Sequence, residues 1–156
     1  MGDRAAHLFE AIRLIAGYTA LRAISRLYET APLYDTAQPR FLNCVVAVAK
    51  APAPEQLLRK NQEVEHVLGR RRDPARPKGP RPVDIDIVLY GGLTVESENP
   101  ALRIPHPGLS ERAFVLKPLL ELAPELADPR NGSLLRNALE ELPEQDVYLY
   151  HEVSLY

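Results

Sequence analysis

An α+β fold, with helices packed on a mostly antiparallel sheet, is what this sequence predicts, and three observations predict it. Apolar residues recur at helical spacing in some segments and form short extended runs in others, in the order helix, strand, strand, helix, strand, helices, strand. The first two extended runs are close enough in sequence to pair antiparallel. A third, ending at Tyr90, alternates apolar and acidic residues as a strand with two unlike faces does.

Taken in order, the first helix opens at Asp3, an N-cap residue, carries Leu8, Ile12 and Ile15 on one face, and stops at Gly17. Leu21 to Thr30 reads as one strand running into Ala31-Pro32, and Phe41 to Ala49 as a second, continuous and apolar. Pro52 to Glu55 starts a helix whose face is Leu57, Leu58, Val64, Val67 and Leu68, with Gly69 as its stop. Residues 70–81 form an irregular loop of Arg and Pro that leads into the strand Val83 to Tyr90. Gly91-Gly92 turns into a short extended piece at Thr94-Val95, and 96–103 reads as irregular. Two prolines hold His106 between them. Ser110-Glu111 opens the next helix, where Pro118 introduces a kink or sets off a short turn. Asn131-Gly132-Ser133 is a turn before a helix from Leu134 to Leu142, and Asp146 to Tyr156 reads as a final strand.

The chain has 156 residues, the usual size of one domain, so a single domain over 1–156 is expected. Lys plus Arg number 19 and Asp plus Glu 21, a net charge of -2 that gives no general pull toward nucleic acid or anionic membrane. Any basic patch is therefore local. The one cysteine, Cys44, sits in an apolar run and reads as core; with no internal partner it suits a reducing compartment. No apolar stretch reaches the roughly 20 residues that span a bilayer, and the N-terminus lacks a signal-peptide pattern, so the expected location is the cytoplasm.

The chemistry gathers at Asp84 and Asp86. On a strand their side chains share one face, about 7 Å apart, while Val83, Ile85, Ile87 and Leu89 share the other. Hard carboxylate oxygens so placed suit Mg²⁺, and the arginine-dense loop just upstream suits phosphate oxygens. The pattern is that of a site for metal-bound polyphosphate, and a strand this apolar belongs in the middle of its sheet.

Four stretches then carry a resemblance to a known family. They are Tyr28-Glu29-Thr30-Ala31-Pro32-Leu33, Gln38 to Asn43, Gly79-Pro80-Arg81-Pro82-Val83-Asp84-Ile85-Asp86-Ile87, and Ile104-Pro105-His106-Pro107 through Glu111-Arg112-Ala113-Phe114-Val115-Leu116. In order and spacing, from residue 3 to about 126, they closely resemble 6-hydroxymethyl-7,8-dihydropterin pyrophosphokinase of folate biosynthesis. The resemblance implies a ferredoxin-like antiparallel sheet and the transfer of pyrophosphate from ATP to the pterin hydroxymethyl group, leaving AMP. It also implies that Asp84 and Asp86 ligate two Mg²⁺ ions, and that Arg70, Arg72 and Arg81 contact the ATP phosphates or close over them. Gln62, Glu65, Arg103, His106 and Arg112 fall on the nucleotide side, Gln62 and Glu65 as adenine-side or loop-organising positions. On the pterin side, Thr30, Leu33 and Asn43 match contacts to the ring, and Phe41 with Phe114 would stack on its two faces.

Three departures from the family pattern carry expectations of their own. Lys78 stands where many members place a tryptophan over the pterin, and Arg103 where a threonine is more usual. The family normally opens with an apolar strand and Gly-Ser-Asn ahead of Gly-Asp-Arg, whereas this sequence starts at Met1-Gly2-Asp3-Arg4. The expectation is that this first strand is absent and that the tail from Asp146 to Tyr156 takes its place, within one chain or by strand exchange in a homo-oligomer. The alternatives to the enzyme are a non-catalytic relative that binds nucleotide or pterin, and a two-metal phosphoryl or nucleotidyl transferase with another acceptor.

Overall fold

The computed structural model describes residues 4–30, 41–70 and 83–150. Within them the fold is α+β, with helices on antiparallel pairs of strands. Helix α1 (Arg4–Ile15) buries Ala5, Ala11, Ile12 and Ile15. It ends as Gly17 donates to Leu14 O at 3.0 Å, just where the glycine predicts a stop. The Asp3 cap lies outside the described residues.

Each of the two expected strands is divided. Leu21 to Thr30 becomes β1 (Ala20–Ile24) and β2 (Tyr28–Thr30), and the apolar run becomes β3 (Phe41–Asn43) and β4 (Val46–Ala49). They pair antiparallel as predicted, β1 with β4 and β2 with β3. The divisions face each other for a reason: the Val45 N–H donates to Ser25 Oγ at 2.9 Å, and the Ser25 N–H donates to Val45 O at 2.9 Å. The Ser25 hydroxyl in turn donates to Arg26 O, so a side chain replaces one rung of the ladder and both strands bend together.

Helix α2 (Pro54–Arg70) packs along α1, with Ala11, Val64, Leu68 and Val83 in one buried cluster. Val67, expected on the buried face, is 36% exposed, because the packed stripe passes through Leu57, Val64 and Leu68. A second cluster, Leu109, Leu116, Leu119 and Leu135, lies on the other side, with Val45, Val88 and Leu89 packed against it.

The run from Val83 to Tyr90 passes between these clusters. Its first residues alternate as expected: Val83 is buried and Ile85 half-buried, while Asp84 and Asp86 are exposed. It is not, however, a central strand, since no described strand pairs with it. Its backbone is held by other groups: Ile85 N–H donates to Glu65 Oε2 at 2.7 Å, and Val88 O accepts the His106 N–H at 3.0 Å. Leu89 also leaves the Val83 face and joins the second cluster.

The stretch read as irregular is a hairpin, β5 (Val95–Glu98) with β6 (Ala101–Ile104). Alternating burial at Leu102 and Ile104 drives it, and Asn99-Pro100 makes the turn. A 3₁₀ turn (Leu109–Glu111) precedes α3 (Ala113–Leu122). The interruption lies at extended Arg112, not at Pro118, which sits buried inside α3. Helix α4 (Leu135–Glu141) follows a turn at Gly132, whose φ of 75° is open to glycine without strain.

The tail supplies β7 (Val147–Leu149), antiparallel to β2 at one edge of the sheet order β3-β2-β7. Val147 is buried with Tyr28 and Ala113, and Tyr150 N–H donates to Leu27 O at 2.9 Å. The rest of the expected strand, 151–156, lies outside the described residues. No helix among the described residues is long and apolar enough to cross a membrane.

Candidate active site

The run from Val83 to Tyr90 supplies the acidic centre. Asp84 and Asp86 are both exposed, and the peptide between them is tied to α2 through Glu65. Neither aspartate forms an ion pair with another described residue. Among the described residues no third His, Cys, Asp or Glu joins them in a cluster. Two free carboxylates without a cage fit Mg²⁺, which keeps waters and takes its other ligands from substrate phosphates.

Next to this centre the backbone binds His106. Its N–H donates to Val88 O, two residues beyond Asp86, and its Nδ1 accepts the Gly108 N–H at 3.0 Å. With Nδ1 occupied as an acceptor, the neutral ring carries its proton on Nε2 and presents it as a donor. Gly108 has a second role that the sequence alone did not reveal: a Cβ there would lie 2.6 Å from Arg112 Nε. The bare glycine is what lets the Arg112 side chain cross the turn. The Arg112 guanidinium then sits 5.7 Å from the centre of the Phe114 ring, within cation–π range.

A second group lies on β2 and β3. Thr30 is 8% exposed, and its Oγ1 accepts from Asn43 Nδ2 at 3.1 Å. Phe41 stands opposite Thr30 in the ladder and is 51% exposed, an apolar ring without cover. Phe114 packs on the cluster containing Tyr28, so the β2 and α3 sides meet in one core.

The remaining expected residues fall elsewhere. Gln62 is exposed on α2, one turn before Glu65. Arg103, exposed on β6, lines a cleft of about 390 Å³ with Thr94, Ile104, Pro107 and Arg130. Another cleft, of about 300 Å³, lies between Asp128 and α4. Neither contains Asp84 or Asp86. Leu33, Arg72, Lys78 and Arg81 lie outside the described residues, as does the side chain of Arg70. Cys44 is half-buried, not in the buried core as expected, and burial pushes its thiol up to about 11, which keeps it protonated.

The family model for 7,8-dihydro-6-hydroxymethylpterin-pyrophosphokinase matches residues 1–124. The chain is 42% identical over 152 residues to the "Folic acid synthesis protein fol1" of Schizosaccharomyces pombe, covering 96% of this chain and 20% of that protein. It is 39% identical over 162 residues to the protein of the same name in Pneumocystis carinii, covering 99% of this chain and 21% of the relative. Identity is 41% over 144 residues with the "2-amino-4-hydroxy-6-hydroxymethyldihydropteridine pyrophosphokinase" of Methylorubrum extorquens, covering 91% of this chain and 87% of that one. The chain thus spans about a fifth of the fungal relatives and most of the bacterial one. By the extent of the family match and by these identities, the chain belongs to the 7,8-dihydro-6-hydroxymethylpterin-pyrophosphokinase family.

Proposed function

We propose that this chain, as one domain over 1–156, transfers pyrophosphate from Mg-ATP to the hydroxymethyl group of 6-hydroxymethyl-7,8-dihydropterin, giving AMP and the pterin diphosphate in folate biosynthesis. The observation that carries the reading is the exposed Asp84/Asp86 pair, held by Glu65 on one side and by the His106 backbone on the other, within the family match. The substrate hydroxyl oxygen attacks the β-phosphorus in line. The bond from that phosphorus to the α–β bridging oxygen breaks, AMP leaves with the oxygen, and the hydroxyl proton passes to solvent.

Asp84 and Asp86 hold two Mg²⁺ ions, which when bound neutralise charge on the phosphate oxygens. Arg70, Arg72 and Arg81 neutralise the rest from the loop. His106 donates through Nε2, Arg103 and Arg112 add positive charge on the nucleotide side, and Gln62 lies toward the adenine. Thr30, Leu33 and Asn43 read the edge of the pterin while Phe41 and Phe114 stack on its faces. The same reading takes the arrangement as ferredoxin-like, with the tail from Asp146 to Tyr156, of this chain or of a second copy, standing in for the family's first strand. The free Cys44 suits work in the cytoplasm.

One observation favours a non-catalytic relative as the second reading: no described strand pairs with the 83–90 run. Incubation with Mg-ATP and the pterin, following AMP release beside an Asp86→Ala control, separates the two. AMP formed by the wild type and reduced about 10²-fold or more in the control supports the enzyme. No AMP above the control, with ATP still bound, supports the second reading, and ADP as product would mean a different kinase.

A further inference from the structure

Gln145 lies beyond the residues that the family model matches, and it spends both ends of its side-chain amide on the backbone around Arg112. Its Oε1 accepts the Ala113 N–H at 2.9 Å, and its Nε2 donates to Glu111 O at 3.1 Å. Helix α3 needs this partner, since Arg112, its N-cap residue, is extended and offers no side-chain cap. Gln145 therefore fixes the joint between the 3₁₀ turn and α3, immediately before Phe114.

The same segment is tied to β2. Gln145 O accepts the Val147 N–H at 2.8 Å, and Val147 pairs with Thr30 in the β2–β7 ladder. Lys117 Nζ, on α3, donates to Val147 O at 3.4 Å. A continuous path of bonded groups thus runs from Phe114 through Ala113, Gln145 and Val147 to Thr30, whose hydroxyl accepts from Asn43. Its two ends are the stacking ring and the polar pair that the proposed function assigns to the heterocycle.

We propose that Gln145 is a positioning residue for the flat heterocyclic substrate, bracing the Phe114 ring of α3 against the Thr30–Asn43 pair through β7. This rests on the pterin reading above. A flat ring that stacks on one wall and hydrogen-bonds to another is bound only when the walls keep their spacing, so loosening the brace acts chiefly on this substrate and reaches the nucleotide only through Arg112 at the same joint.

The test compares the wild type with Gln145→Leu, similar in shape but without either bond, and Gln145→Glu, which keeps the acceptor for Ala113. At saturating Mg-ATP the leucine variant raises KM for the pterin about tenfold, the worth of one or two such bonds. Its KM for Mg-ATP rises less, because Arg112 alone of the nucleotide-side groups lies at this joint; its kcat stays within about twofold, and the glutamate variant recovers part of the loss. Hydrogen exchange at the Ala113 amide accelerates in the leucine variant and less in the glutamate one. An unchanged pterin KM in Gln145→Leu overturns the inference, as does a parallel loss in both substrates and kcat that tracks the melting temperature. Should the leucine variant not fold, an unchanged pterin KM in Gln145→Glu, which lacks the bond to Glu111, overturns it equally. A wild type that neither binds nor turns over the pterin removes the proposed function and this inference with it, whereas an active wild type with indifferent variants removes only the inference.

Discussion

The Glu65 carboxylate accepts the Ile85 N–H at 2.7 Å, so the peptide between the two exposed aspartates is anchored to α2. An anchor of this kind sets where the carboxylates stand without touching a metal. Glu65→Ala is expected to raise the Mg²⁺ concentration needed for half-maximal AMP release by about 10-fold to 100-fold, as loss of an outer partner does at metal sites. Glu65→Gln, which retains a carbonyl acceptor, stays closer to the wild type. A Mg²⁺ titration of both variants decides it, and an unchanged midpoint in the alanine variant would remove the anchoring role.

How far these features could be read beforehand depends on the range over which each is determined. The Asp84/Asp86 alternation is local and was legible, as were the stop at Gly17 and the turn at Gly132, whereas α2 runs through the expected stop at Gly69 to Arg70. The division at Ser25 was not, because it needs the Val45 backbone twenty residues away. The ladder expected for the 83–90 run failed for the same reason: apolar alternation reports burial, while pairing depends on which other backbone arrives beside it. The β5–β6 hairpin did leave a signal, alternation at Leu102 and Ile104 after Asn99-Pro100, that the polar residues Glu96, Ser97 and Glu98 masked. Glu65 was legible as a site position, but its bond to the Ile85 N–H, like the contributions of Gly108 and Gln145, was visible only in three dimensions, since each acts on a segment distant in sequence or through a side chain crossing a turn.

Leu116 is fully buried at the centre of the cluster that joins α3, α4 and the Val88–Leu89 end of the acidic run. Replacing it removes apolar contact and leaves a cavity that its neighbours Leu109, Leu119 and Leu135 fill only in part. Leu116→Ala is expected to cost about 2–5 kcal/mol of stability. Urea unfolding of the two proteins measures the difference, and a cost under about 1 kcal/mol would mean that the site collapses to fill the gap.

Glu121, on α3, is bound to the bend between β1 and β2. Its carboxylate accepts the Arg26 N–H at 2.7 Å and the Tyr28 hydroxyl at 2.6 Å, and pairs with the Arg26 guanidinium at 3.2 Å. Burial alone would raise its pKa, but the hydrogen bonds from Tyr28 and Arg26 and the Arg26 charge outweigh it and hold the carboxyl below its ordinary 4.5. A depressed folded pKa stabilises the fold above the ordinary value, and the contribution is lost as pH falls through the folded one. The stability gap between the wild type and Glu121→Gln is therefore expected to be constant near neutrality and to close on acidification below 4.5. Denaturant midpoints of both proteins from pH 7 down to about pH 3 test this, and a gap that stays level throughout would contradict it.

The opposite sign applies at Tyr18, which follows α1 and donates its hydroxyl to the buried Asn61 Oδ1 at 2.7 Å. Desolvation, then the charges of Glu63 and Glu65, push its pKa from 10.0 up to about 12. The folded protein thus holds this proton more tightly than the unfolded chain. Its contribution is fully present below 10.0 and is lost as pH rises from there to about 12. Tyr18→Phe removes the ionisation and leaves Asn61 without this donor, so it is expected to lower stability by about 1–3 kcal/mol near neutrality. The two proteins should then converge between pH 10.0 and about 12, because only the wild type loses this term there. Melting curves at a series of alkaline pH values distinguish convergence from the parallel decline expected if the hydroxyl titrated alike in both states.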